Sequence, residues 1–152
     1  MRPMDILGVV AATLAAALAP AVILAAADGN LDIMTPVFGV ALGHVVIFGL
    51  PLLLIFRKRV NVWSTVIVAF IVGVVPAAVM FWPGDSDGSF SASIGGVPTV
   101  IAGIPTVAGW LNYLGLLAFL GACGAVSGLA FWLVLKFTGC LPSSDRTAIA
   151  RG

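Results

Sequence analysis

Little in this sequence is charged. Of 152 residues, 9% carry a formal charge and 61% are hydrophobic, whereas a water-soluble domain carries about a quarter charged residues. So few charges cannot cover a water-facing surface. Several runs near twenty residues long contain no charge at all, which sets aside an unusually apolar soluble core. The net charge is +1 and no basic stripe lies outside the borders of the apolar runs, so there is no nucleic-acid footprint. Cysteine is scarce too. Cys123 and Cys140 stand 17 residues apart, about 25 Å along a helix axis, too far to bridge. No Cys-x-x-Cys or Cys/His cluster offers a metal site. The sequence holds no Ser/His/Asp set, no paired acid within the apolar runs, no phosphate loop and no His-x-x-x-His. The expectation is a protein without catalytic residues, cofactor or metal.

What is present is apolar length. The fold class that follows is an all-α membrane protein of one domain, residues 1–152, with four transmembrane helices over residues 5–27, 36–56, 62–82 and 110–137. The organising unit is the hairpin of spans two and three, joined by the basic knot Arg57-Lys58-Arg59. In a four-span thread Arg2, the knot, Lys136, Arg146 and Arg151 fall on one side, and Asp28, Asp32, Asp85 and Asp87 on the other. That is the positive-inside pattern, with both termini cytoplasmic. Trp63 and Trp82 bracket span three and Trp110 and Trp132 bracket span four, about 28 and 33 Å apart as helices, which suits a hydrocarbon core of roughly 30 Å. Tyr113 joins the outer belt.

Span one is alanine-rich, with Gly8, Ala12, Ala15 and Ala19 spaced for close helix approach. Arg2 and Ala25-Ala26-Ala27 before Asp28 also have the look of a cleavable signal peptide. The run exceeds the usual apolar length of about 7–15 residues and Asp5 weakens the positive start, so a retained anchor is expected. Pro20 and Pro76 are expected to kink their helices, and Gly49 before Pro51 to let span two bend. Asn61 is placed to cap span three.

The outer segment, residues 84–109, is too rich in glycine and proline for a fifth helix. The alternation from Ser89 to Ile94, the Gly95-Gly96 turn dipeptide and the run 97–102 predict a small extracytoplasmic β-hairpin, with a shallow re-entrant loop as the alternative. In that register Ile94 faces Val97 and Ser93 faces Pro98, so the missing Pro98 N–H points outward. Phe90, Ala92, Ile94, Val97, Thr99 and Ile101 would share one face, expected to rest on the bundle or on the lipid surface. Gly96-Val97-Pro98-Thr99-Val100 recurs as Gly103-Ile104-Pro105-Thr106-Val107, too short a repeat for a solenoid.

His44 is the candidate functional residue, an ionisable group about 12 Å inside span two. It is expected to face the bundle interior and bond a neighbouring helix. Gly39 and Gly43, Gly73, Gly121, and Gly124 with Gly128 are expected helix-packing positions. Small residues serve packing more often than transport, and no charged residue lies deep in a span.

Gly43-His44, Gly49-Leu50-Pro51, Arg57, Val62-Trp63-Ser64, Gly73, Pro76, Trp82-Pro83 and Gly128-Leu129-Ala130-Phe131-Trp132 together give spans two to four a pattern. It resembles small, uncharacterised four-span inner-membrane proteins of bacteria, and the resemblance implies a multi-pass inner-membrane location and no activity. Two functions remain open. One is an accessory or scaffolding protein whose partners are the lipid bilayer and other membrane helices or a second copy. The other is a small oligomeric transporter or channel with His44 on its pathway.

Overall fold

The computed structural model describes residues 3–51, 61–84, 88 and 90–140. The basic knot, Arg2, Asp85, Asp87, Ser89 and the tail from residue 141 lie outside the described residues. Four helices long and apolar enough to cross a membrane account for most of the rest: Ile6–Asp28, Leu31–Gly49, Val62–Met80 and Val107–Phe137, with mean hydropathies of 2.4, 1.8, 2.3 and 2.0.

Helix α1 (Pro3–Asp28) runs through Pro20 unbroken. Its alanines form the tightest part of the structure: Ala12, Ala16, Ala17, Ala21 and Ala25 are buried. Side chains this small let helices approach on both flanks. A 3-10 turn, Leu31–Ile33, follows, capped by Asn30 Oδ1 accepting from the Asp32 N–H at 2.9 Å. Helix α2 (Met34–His44) then passes directly into a π-turn, Val45–Gly49. Here the Leu50 N–H reaches back to Val45 O, five residues away. Pro51 has no N–H for the Ile47 carbonyl, so the regular ladder is already broken at that end, and the expected bend takes this form.

Helix α3 (Val62–Met80) starts at a full capping box. Asn61 Oδ1 accepts from the Ser64 N–H at 2.8 Å, and Ser64 Oγ accepts from the Asn61 N–H at 3.1 Å. Helix α4 (Val107–Phe137) begins earlier than its tryptophan implies, because Thr106 caps it by accepting from the Gly109 N–H at 3.1 Å. Packing follows the order α2–α1–α4–α3, an open arc rather than a closed bundle, and α2 comes near α3 mainly at the π-turn. At that end Ala12, Ala16, Phe131 and Leu135 form a buried cluster joined by Val45 and Cys140.

Between α3 and α4 lies a three-stranded antiparallel meander, β1 (Ala92–Ile94), β2 (Val97–Ile101) and β3 (Ile104–Pro105). The Gly95-Gly96 turn and the Ile94–Val97 and Ser93–Pro98 pairs are those expected. Two features differ. Ala92 pairs with Val100, so Thr99 is an extra residue in β2, a bulge. It breaks the strict alternation: Thr99 and Val100 are both buried, while Phe90, Ile94, Val97 and Ile101 are each more than half exposed. Of the six, Thr99 alone is buried, so the face does not rest on the bundle as a whole. The second repeat also pairs, because Ala102 and Gly103 both take positive φ (48° and 77°) and turn the chain into β3. Thr106 latches this sheet to α4. Its N–H donates to Thr99 O at 2.9 Å and its hydroxyl to Pro98 O at 2.7 Å.

Ala102 holds a left-handed conformation that costs an L-residue about 1–2 kcal/mol. Asn-Gly is the favoured pair for such a turn. Ala102→Asn is therefore expected to raise the detergent melting temperature, by up to about 1 kcal/mol of stability. A lower melting temperature would mean that the turn is not of this type.

Candidate functional site

The open arc leaves a groove of about 940 Å³ lined by all four helices. It runs from Pro36 and Met80 at one end to Gly49 and Asn61 at the other. The α2 wall uses Pro36, Val37, Val40, Ala41, His44 and Val45, one face at helical spacing. Opposite, α3 offers Thr65, Val68, Ala69, Val72, Pro76 and Met80. The floor is α1 (Ala16, Pro20, Leu24) and α4 (Leu116, Leu120, Cys123, Ser127, Phe131).

The glycines divide into two classes. On the α3–α4 seam they bring backbones together. A Cβ at Gly73 would lie 2.6 Å from Leu120 O, and one at Gly128 would lie 2.8 Å from Thr65 O. A Cβ at Gly124 would collide with Ala69 O, and one at Gly121 would meet the Phe70 ring at 2.5 Å. Gly39 and Gly43, expected at a helix contact, have no atom of another described element within 4 Å of where a Cβ would stand. Their face of α2 is turned away from the other described helices, because α2 packs only along its α1 side.

His44 stands on the groove wall, but it bonds its own helix and not a neighbouring one. Its Nδ1 lies 3.0 Å from Val40 O, and its ring tilts against Phe48 at a centroid distance of 5.9 Å. A carbonyl oxygen only accepts, so Nδ1 carries the hydrogen. In the neutral ring Nε2 is then a bare acceptor, and it has no hydrogen-bond partner among the described residues. The other polar side chains of the wall turn their protons inward. Thr65 Oγ1 donates to Asn61 O at 2.8 Å, Ser64 Oγ to the same oxygen at 3.0 Å, and Ser127 Oγ to Cys123 O at 3.0 Å. Pro76 adds to this. It lacks the N–H that would serve the carbonyl of Val72, and both residues line the groove, whereas Ala16, four residues before Pro20, is 1% exposed and sits in the buried cluster. The wall is thus rich in acceptors and poor in donors. A proline inside an apolar run was visible in the sequence. That its freed carbonyl belongs to a groove-lining residue was not.

At the end bearing Met80, an aromatic cluster packs α3 onto α4. Trp82, Trp110 and Tyr113 meet edge to face at 5.6–6.0 Å between centroids. The Tyr113 hydroxyl donates to Ala78 O at 2.8 Å. A smaller cavity of about 370 Å³ lies beside this cluster, between the sheet and α4, with Asn112 on its rim. Cys123 and Cys140 form no disulfide, and no group of three His, Cys or Asp side chains gathers among the described residues. Comparison with protein-family models, with curated proteins and with solved structures finds no match.

Proposed function

We propose that this chain is a multi-pass protein of the bacterial inner membrane, threaded four times, and that it acts as an accessory protein by holding another membrane component in its groove. The observation that carries the reading is the groove itself: about 940 Å³, walled by four apolar helices and open between α2 and α3. An opening on that side faces whatever surrounds the helices. Exposed apolar side chains around it, such as Val46, Ile67 and Val75, each near half exposed or more, fit a lipid surround rather than water. The test is to purify the chain in native lipid discs and identify what comes with it by mass spectrometry, beside Val40→Trp. Val40 is 64% exposed and lines the groove, so tryptophan there fills space without crowding a packed seam. The expected result is a co-purifying component that Val40→Trp displaces. An unchanged set of components contradicts the reading.

The placement of His44 on the wall favours the second reading, a small oligomeric transporter or channel. Against it, no charged residue lies among the described groove-lining positions, and an ion or polar substrate passing through would need such partners.

Threading is inferred from the sorting of basic and acidic residues along the sequence. Reporter fusions after Gly29, Val60, Ser91 and the C-terminus are expected to read outside, inside, outside, inside. Any other pattern contradicts both the four-span thread and the extracytoplasmic position of the sheet.

A further inference from the structure

We infer that the groove takes a neutral amphiphile, a long apolar chain carrying one hydroxyl, whose proton is accepted by Nε2 of His44. The inference rests on the groove being a binding site, as proposed above, and adds the chemistry of the guest. Three observations select it. The volume, about 940 Å³, is at the upper end of the range for ligand pockets, roughly 300–1,000 Å³, and its apolar lining with few polar groups matches such sites. The Nδ1–Val40 bond fixes the tautomer that leaves Nε2 as an acceptor. The hydroxyls of Thr65 and Ser127 are turned to backbone carbonyls and offer the guest lone pairs rather than protons. A guest with only acceptors, such as an ether or ester, finds little to meet it there. The donors that line the groove among the described residues are the Cys123 thiol, a weak one, and the Asn61 amide, at the end marked by Gly49. A charged head group is disfavoured for a separate reason. His44 lies eight residues beyond Pro36, about 12 Å along the helix, and a charge at that depth is costly without a counter-charge. None lines the groove among the described residues. A neutral hydroxyl satisfies both conditions. Lateral entry between α2 and α3 needs no passage through water.

The experiment uses the full chain in phosphatidylcholine nanodiscs with three photoreactive probes, each a hexadecyl chain bearing a diazirine. One ends in a hydroxyl, one in its methyl ether, and one in phosphocholine. Labelled positions are mapped by mass spectrometry in the native chain, in His44→Leu and in Val40→Trp, and the melting temperature of each is recorded to separate lost binding from lost folding. The alcohol is expected to label Val40, Val68 and Val72 about three- to tenfold more than the ether, as one membrane hydrogen bond allows. That excess is expected to vanish in His44→Leu at unchanged melting temperature, and Val40→Trp is expected to suppress both probes. Equal labelling of the groove by alcohol and ether, indifferent to His44, overturns the hydroxyl assignment while the groove stands as a site for apolar chains. Preference for the phosphocholine probe, whose head carries a phosphate and a quaternary ammonium charge, overturns the uncharged hydroxyl head group in the same way. Labelling confined to surfaces outside the groove, or crosslinks between two copies through the groove valines, overturns both this inference and the function it rests on. If His44→Leu does not fold, the contrast between alcohol and ether in the native chain decides the matter alone.

Discussion

Gly124→Ile is expected to separate α3 from α4 and to cost the protein about 3 kcal/mol or more. The Cβ at this position would collide with the Ala69 carbonyl, a backbone atom that cannot rotate away. Overpacking a well-packed interface costs typically about 1–3 kcal/mol, and more where the obstacle is rigid. The same shift would pull apart the neighbouring approaches of Gly128 to Thr65 O and Gly73 to Leu120 O, so the loss spreads along the seam. The matched control is Gly39→Ile or Gly43→Ile. These sit in a Gly-x-x-x-Gly pair of identical spacing, yet no other described element comes within 4 Å of a Cβ at either, and both are expected to fold. Melting in mild detergent, followed by circular dichroism, reads the difference. A stable Gly124→Ile beside an unfolded Gly43→Ile would invert the packing order described here.

Tyr113→Ala is expected to cost about 3–5 kcal/mol, the range for deleting a large buried aromatic. Tyr113 is 8% exposed and packs against both Trp82 and Trp110. Its hydroxyl has a second task. Ala78 lies in the last turn of α3, where carbonyls have no intrahelical donor, and the Tyr113 O–H supplies one at 2.8 Å. Tyr113→Phe keeps the ring and loses only that bond, so it is expected to cost about 1 kcal/mol. The near-ultraviolet dichroism of Trp82 and Trp110 and the melting temperature together report both changes. Equal effects of Phe and Ala would show that the hydroxyl, rather than the ring, holds the joint.

Apolar length alone marked out the four helices, and local chemistry marked two finer features, the Asn61 cap and the Gly95-Gly96 hairpin. What escaped the sequence shares a physical cause: it depends on atoms far along the chain or on backbone counts that composition does not record. The bulge at Thr99 leaves the composition of β2 as expected up to Ile101 but shifts its pairing with β1 by one. Strand β3 is two residues long and follows Ala102-Gly103, whose alanine gives no turn signal. The π-turn adds one residue to a helical turn without altering the apolar pattern. Most instructive are the glycines. Gly39 with Gly43 and Gly124 with Gly128 are indistinguishable by spacing, because a missing side chain permits a close approach without saying whether a helix arrives. The groove was hidden for the same reason, since it exists only because α2 packs on α1 and leaves α3 uncovered. His44 was legible as the polar residue to watch. The acceptor-rich wall around it became visible only with the hydrogen bonds of Val40, Asn61 and Cys123 in place.

The central claim is that α2 and α3 stand apart and that the space between them is filled from the bilayer. Methyl-selective nuclear Overhauser spectroscopy of the 15.5 kDa chain in lipid nanodiscs tests it most directly. Val74 serves as the internal standard, because it packs on α4 at Gly121 and must show cross-peaks there. The account predicts cross-peaks from Val40, Val68 and Val72 to the methylene protons of acyl chains, and none between Val40 on α2 and Val68 or Val72 on α3. Direct cross-peaks between those α2 and α3 valines, with no acyl-chain signal, would show a closed bundle and contradict it.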